Sequence, residues 1–381
     1  MPLSVESTAS LSRVDAAAFD ALVPPSDPFT RHAFLLGLEE TGCVGAEAGW
    51  LPIHLLVRDE GGRLVGAAPL YLKDHSYGEY IFDWGWAAAS ERAGIPYYPK
   101  LVSAVPFTPA TGGRLLVHPA APAAEVRAAL AEGLRALADE TGAMSIHVLF
   151  CDRPTQSELG AHGFLARITS QYHWENRDGW TDFDDFLGAL RAPARKAVRR
   201  ERRIARSHGL SLRMWTGEEM GEAEWKALWR FYRRTTSRKW GQAYLRPAFF
   251  EWLRTHDAEA VRVAFAHAGH RPVAGALFFE RGEALYGRYW GSLGDYDCLH
   301  FELCYYQAIE WCLARGLTRF EAGAQGAHKV RRGLLPREIY SAHWLRHPGL
   351  ARAVAEALPV EEAEVRAEMA ELARHGPFRR G

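Results

Sequence analysis

Arg63-Leu64-Val65-Gly66-Ala67 returns later in the chain as Arg271-Pro272-Val273-Ala274-Gly275. Tyr77-Gly78-Glu79-Tyr80 returns as Tyr286-Gly287-Arg288-Tyr289, and Tyr97-Tyr98 as Tyr305-Tyr306. The offsets 271 − 63, 286 − 77 and 305 − 97 are 208, 209 and 208. Three matches at one spacing, far longer than any solenoid period, read as a duplicated domain.

Working outward, each copy carries the same local pattern. Ile53 to Val57 is an apolar run, Asp59-Glu60-Gly61-Gly62 a turn, and Leu64 to Leu72 a second run. In the second copy Val261 to Ala266 precedes His267-Ala268-Gly269-His270 and then Val273 to Phe279. Glycine in each turn supplies the positive φ that a hairpin needs. A further strand is expected at Tyr80–Trp84 and at Leu285–Trp290. Helices are expected at Pro122–Asp139 and about Leu299–Arg315, and strands at Met144–Phe150 and Thr318–Glu321. Hairpin, strand, helix, strand is an α+β order, here doubled.

Between the copies, Arg191 to Arg206 holds eight Arg or Lys and one acid, Glu201, with Pro193 near its start. It reads as a helix, either a solvated face or a patch for phosphates. Leu350 to Arg374, rich in Ala, Glu and Arg, reads as an amphipathic helix. The expected division is 1–165, a connecting strand and basic helix at 166–210, a second domain at 211–350, and a terminal helix at 351–381.

The 381 residues hold 46 Lys+Arg against 46 Asp+Glu, which excludes a globally basic nucleic-acid coat but not a local basic patch. At 48% hydrophobic and 24% charged, the chain is an ordinary globular one. Thirteen Trp and fourteen Tyr suggest large buried rings or an aromatic groove. Five widely spaced cysteines do not form a disulfide framework. With no leader pattern and no long apolar run, the sequence predicts a cytoplasmic protein without a membrane span and without a DNA-binding role.

Several chemistries are missing. No two glycines stand two residues apart, so the dinucleotide fingerprint is absent, and Gly-Lys never occurs, so there is no Walker A loop. G-x-S-x-G and H-E-x-x-H are absent too. His300-Phe301-Glu302 spells H-x-E near cysteines, but Cys298, Cys304 and Cys312 lack the P-C-x-x-C of zinc deaminases, and no metal site is expected.

The densest polar cluster is Phe320-Glu321-Ala322-Gly323-Ala324-Gln325-Gly326-Ala327-His328-Lys329, continuing to Arg331-Arg332-Gly333. It follows a short strand and offers an acid, an amide, a titratable base and two kinds of cation, on a loop that glycine lets turn sharply. Trp290 to Glu302 is the second cluster: strand end, Gly-bearing loop, helix start, with His300 and Glu302 in the first turn and backbone N–H groups suited to an anion. Both also fit ordinary structure, a polar loop paired within itself and a helix start whose Glu302 complements the dipole. In the first copy, Phe82-Asp83-Trp84 and Tyr97-Tyr98-Pro99-Lys100-Leu101, leading to Val105-Pro106-Phe107-Thr108-Pro109, build either a groove wall or a packed loop. Asp83 and Lys100 are harder to ascribe to packing. Trp240 and His343 are further candidates for the same cleft.

These residues resemble a known family. Asp83-Trp84, Tyr97 to Leu101, Ala104 to Pro109, Arg195-Lys196 with Arg199 to Ala205, Tyr286-Gly287-Arg288-Tyr289-Trp290-Gly291, Leu299-His300-Phe301-Glu302, the Glu321 to Lys329 loop with Arg332-Gly333, and Ser341-Ala342-His343-Trp344 carry the likeness. The chain looks like the bacterial "predicted N-acyltransferase" family, described as peptidoglycan biosynthesis/recognition and grouped with the Fem-type aminoacyltransferases. The likeness runs from about residue 30 to 350; Ala327 departs from the glutamate usual before the histidine.

The resemblance implies an α+β fold of two tandem GNAT-like domains, each a mixed, mostly antiparallel sheet flanked by helices. It implies transfer of an acyl or aminoacyl group from acyl-CoA or aminoacyl-tRNA to a small-molecule or peptide amine, with tRNA a candidate partner. The donor stays open. The acetyl-CoA loop pattern occurs at Arg63, Arg238 and Arg346, but at the expected strand–loop–helix junction Arg288-x-x-Gly291-x-Leu293 misses its last position. The expected catalytic groups are Glu321, His328, Lys329, His300 and Glu302, with His328 or Glu321 as base and Lys329 or the N–H groups near Gly291–Gly294 facing the carbonyl oxygen. Asp83, Trp84, Tyr97, Lys100, Phe107, Trp240, Arg288, Trp290, Gln325, Arg332 and His343 are the expected substrate contacts, and Arg195, Lys196, Arg199 and Arg200 the phosphate contacts. Two rival expectations are a non-catalytic binder of a cell-wall precursor, peptide or RNA, and a metal hydrolase built on His300, Glu302, Glu321 and His328.

Overall fold

Gly62 and Gly269, the turn glycines of the two copies, both take left-handed backbone (φ +76° and +59°). They close antiparallel hairpins, His54–Arg58 on Leu64–Ala68 and Val261–Ala268 on Arg271–Arg281. Val57 lies opposite Gly66 in the first, Phe265 opposite Gly275 in the second, and each pairing shifts register just beyond. The hairpin part of the echo is therefore structural, whereas Tyr77–Tyr80 is a turn against the strand at Tyr286–Tyr289, and Tyr97–Tyr98 a loop against helical Tyr305–Tyr306. The hairpin glycines do the same work: a Cβ on Gly66 would stand 2.4 Å from Val126 Cγ1, and one on Gly275 would stand 3.1 Å from the Phe231 ring. In each hairpin the missing side chain lets a helix ride close, Ala123–Thr141 in one and Glu222–Lys239 in the other.

The computed structural model describes residues 2–239 and 243–379. The chain folds as two units, Met1–Thr169 with Glu338–Arg366, and Ser170–Arg337 with Ala367–Gly381. In the first, Ser4–Thr8, the hairpin and Leu116–Val117 make an antiparallel sheet. A second set runs Leu51–Pro52, Tyr71–Lys73, Lys100–Ser103, Ser145–Cys151 and residues 340–345. Its one parallel step joins Lys100–Ser103 to Ser145–Cys151, and helix Ala123–Thr141 makes that crossover. The helix buries Val126, Leu130, Leu134 and Leu137, one stripe at helical spacing, and ends at left-handed Gly142.

In the second unit, Ser211–Thr216, the hairpin, Ala284–Ser292, Arg319–Glu321 and residues 173–175 pair in that order. Again one step is parallel, Ala284–Ser292 with Arg319–Glu321, and again the helical segment between them makes the crossover. The first unit thus carries a four-stranded antiparallel sheet and a mixed strand set, the second a mixed, mostly antiparallel one, each with flanking helices. Among the described residues no helix is long and apolar enough to cross a membrane.

The expected elements recur within a few residues: Ala192–Arg206 for the basic helix, Ser145–Cys151 for the strand at Met144, and Pro348–Arg374 for the last helix. One does not. Tyr80–Trp84 is no strand: Tyr80 is left-handed (φ +65°) and Trp84–Arg92 is a helix. Its alternating rings have the period of a strand, but Asp83 is drawn inward by Lys100, and a buried ion pair outweighs local β propensity.

Candidate active site

The helical segment that opens at Leu299 is irregular. Cys298 before it has left-handed backbone (φ +62°), and Leu299–Phe301 passes into a π-type turn, Glu302–Tyr306, before Gln307–Arg315 resumes. Such a turn carries one extra residue, and the side chains around it re-aim. After Arg319–Glu321 the chain turns at left-handed Gly323 and Gly326 (φ +77° and +98°) into a short helical turn, Ala327–Arg332. A Cβ on Gly326 would lie 2.4 Å from His328 Cε1, so His328 folds back over a position that only glycine can fill.

These two segments meet. His328 Nε2 is 3.1 Å from the Tyr305 hydroxyl, and its ring centroid lies 6.3 Å from that of His300 and 5.6 Å from that of Phe301. His300 in turn meets Trp290 edge-on at 5.2 Å. Burial pushes the Tyr305 hydroxyl well above the usual phenol range, so it stays protonated. An open cleft of about 250 Å³ adjoins His300, lined by Trp290, Ser292, residues 294–297, and Arg234 and Thr235 of the helix Glu222–Lys239.

The basic helix Ala192–Arg206 seats both segments. Glu201 takes a forked pair from Arg332, Nε–Oε2 3.0 Å and Nη2–Oε1 2.6 Å, and also accepts from the Tyr306 hydroxyl. Arg332 donates Nη1 to the His328 carbonyl at 2.8 Å and covers the Phe301 ring at 3.5 Å. Arg202 forks onto Glu302 (3.0 Å from both Nε and Nη2) and reaches Glu310 at 2.6 Å.

The expected site residues therefore sort differently from the sequence reading. His300, His328 and Trp290 come together; Gln325 is exposed on the same loop. Glu302 does not face the crevice: it is fully buried, and Arg202 and Gln307 hold its carboxylate. Lys329 is buried and its ammonium donates to the Ala322 and Gly323 carbonyls, so it clamps the loop where an oxyanion donor was expected. Glu321 is buried beside Arg319 (3.2 Å) and His173 (3.9 Å). Arg332 is buried on Glu201, away from the substrate contact expected of it. Arg288 is half-buried and reaches the Tyr289 hydroxyl at 3.1 Å. Of the phosphate candidates, Arg195 turns back to the Leu190 carbonyl (3.3 Å), while Lys196, Arg199 and Arg200 are exposed, Arg199 with a 3.8 Å contact to exposed Asp184. Trp240 lies outside the described residues.

The candidates of the first unit form a separate buried network. Lys100 donates to Asp83 (2.6 Å), Glu79 (2.9 Å) and Ser76 (2.7 Å), and Tyr97 donates to Asp83 at 2.6 Å. Burial alone would raise the Asp83 carboxyl, but the Lys100 ammonium outweighs it and holds the group well below the usual carboxylate range. Glu79 goes the other way: its burial outweighs both lysines and raises it. Lys73 lies 3.5 Å over the Trp50 ring, and burial lowers it to about 7. His343 is not on a cleft rim. It is buried in this unit, Nδ1 to Nδ1 with His147 at 2.8 Å, and burial keeps both rings neutral. Phe107 is core, against Trp50. Only Trp84 stays open, beside exposed Tyr77 and Phe82.

Sequence reasoning missed Tyr305, Glu201, Arg234 and Lys73. Two of them left a trace: Tyr305 in the Tyr-Tyr echo, and Glu201 as the lone acid among eight bases.

The comparisons bear on the fold. The crystal structure of FemX superposes at a TM-score of 0.56, covering 92% of this chain and 100% of that one at 12% identity. The C-terminal domain (DUF2156) of a putative lysylphosphatidylglycerol synthetase from Agrobacterium fabrum superposes at 0.52, covering 90% and 94% at 10% identity. At these identities the likeness is one of fold, and the fold class is the expected α+β, tandem GNAT-like one. No curated protein sequence matches the chain. The family model described as FemAB-like, peptidoglycan biosynthesis/recognition, matches residues 10–380, and the chain belongs to that family.

Proposed function

We propose that this protein transfers an acyl or aminoacyl group to an amine in peptidoglycan chemistry, with the crevice of the second unit as its reaction site. The observation that carries the reading is the 3.1 Å contact between His328 and Tyr305, beside His300, which itself lines a cleft. The attacking amine must arrive neutral, and the His328 imidazole takes, directly or through water, the proton that its nitrogen sheds as the C–N bond forms. The nitrogen attacks the donor carbonyl carbon; the C–N bond forms and the C–O or C–S bond to the donor breaks. Tyr305 gives its proton to the departing oxygen or sulfur and regains one from His328 along their contact. The proton that leaves the amine thus ends on the leaving group. Positioning suffices, with no covalent enzyme intermediate. Exposed Lys196, Arg199 and Arg200 offer the donor's phosphates a cationic face, which both acyl-CoA and aminoacyl-tRNA would use.

The test is mass spectrometry of a peptidoglycan precursor incubated with the protein and, in separate arms, a panel of acyl-CoAs or charged tRNA. Product in one arm names the donor. His328→Ala should lower turnover roughly 100-fold or more. Full turnover by that variant would remove His328 as base, and precursor binding without product in either arm would make the protein a binder.

A further inference from the structure

Resting on that reading, we infer that the cleft between Arg234 and His300 holds the head of an α-amino acid, a carboxylate and an ammonium on one carbon. The cleft stands on rigid elements. A Cβ on Gly291 would lie 2.2 Å from the Phe231 carbonyl oxygen, so the helix carrying Arg234 and the strand carrying Trp290 touch backbone to backbone. Its volume of about 250 Å³ equals the bulk share of roughly eight waters. That is room for one amino acid.

The charges divide the cleft. Arg234 Nε is buried and has no hydrogen-bond partner among the described residues. A buried guanidinium N–H left unmatched is costly, and the ligand that best answers its fork is a carboxylate. Asp295 and Asp297 line the same cleft, and neither carboxylate has an ion pair among the described residues. They suit an ammonium, with Trp290 alongside for a cation on a ring face. Two aspartates repel a pyrophosphate. Two of the loop's amides are already committed: Leu293 N donates to the Val273 carbonyl (2.8 Å) and Gly294 N to Ser292 Oγ (3.3 Å). A zwitterion satisfies both ends. His300 lines the cleft as well, which joins the cleft to the His328 side of the crevice.

The experiment is titration calorimetry on the full chain with the twenty L-amino acids and D-alanine, against propionate and ethylamine as one-ended controls. Saturable binding is expected for at least one amino acid, with both controls at least tenfold weaker than L-alanine or D-alanine, whichever binds tighter. Arg234→Gln and the double change Asp295→Asn with Asp297→Asn should each weaken binding at least tenfold, at an unchanged melting temperature, since these side chains make no ion pair among the described residues. Equal binding of propionate or ethylamine, wild-type affinity in Arg234→Gln, or no amino acid bound at all would overturn the inference. Loss of transfer in His328→Ala together with any of those results would leave the transferase reading standing and reject this one alone.

Discussion

Glu201 and Arg332 form a forked ion pair, 3.0 and 2.6 Å, that ties the basic helix to the loop bearing His328. The same guanidinium holds the His328 carbonyl, so the helix fixes the backbone of the proposed base from behind. Arg332 is the buried member and Glu201 the partly open one. Removing Glu201 therefore leaves a buried cation without its carboxylate.

Glu201→Ala should cost about 2 kcal/mol of stability, the scale of a buried charged donor left unsatisfied. It should lower kcat about tenfold or more with KM little changed, because substrate does not touch it. Denaturant unfolding and steady-state kinetics check the two parts. Glu201→Asp should restore some of the kcat; a variant with wild-type kcat would show that the pair does not position His328.

Gly326→Ala places a Cβ against the His328 ring at a left-handed position (φ +98°). A strained residue of this kind costs roughly 1–3 kcal/mol, or the loop shifts to relieve it. Either way His328 leaves its contact with Tyr305. Turnover should fall by a factor comparable to His328→Ala while the circular dichroism spectrum stays native. Retained turnover would mean that His328 does not need this loop geometry.

Lys73 gives the first unit a pH signature. Burial lowers it to about 7, against 10.5 for an exposed lysine. Between those values the unfolded chain holds a proton that the folded chain lacks, so this site's contribution to stability rises with pH across the window. The slope is up to roughly 1.4 kcal/mol per pH unit. Below about pH 7 the buried ammonium is at its most costly. The stability difference between wild type and Lys73→Met should therefore shift in favour of wild type from pH 7 to pH 9.5, read by urea titration. A flat difference would place the Lys73 pKa outside the window.

Lys196→Glu, Arg199→Glu and Arg200→Glu together reverse an exposed face. Stability should move by less than about 0.5 kcal/mol per site, as for ordinary surface changes. Retention of charged tRNA should drop, and the wild-type affinity should fall steeply with salt. If the triple variant binds tRNA as the wild type does, this face is a solvated surface only.

The duplicated hairpins were legible because they rest on local rules. Glycine at a turn, apolar runs on either side, and a repeated spacing of about 208 residues need no knowledge of the rest of the chain. The His328 loop and the start of the next-door helix were legible as polar clusters for the same reason. Lys329, Arg332 and Glu302 misled because a cation or acid in a cluster looks alike whether it faces substrate or backbone.

Sequence by itself determined the twofold α+β plan, the basic helix and the two segments that make the crevice, since each is written in periodicity and turn chemistry. Tertiary structure decided which charges face inward. Arg199, Glu201 and Arg202 are near neighbours on one helix, yet the first is exposed while Glu201, partly open, and Arg202, buried, are held in ion pairs with other segments. That choice depends on how the helix is rotated against its neighbours. Burial then makes the difference large, because a charge taken out of water must find a partner.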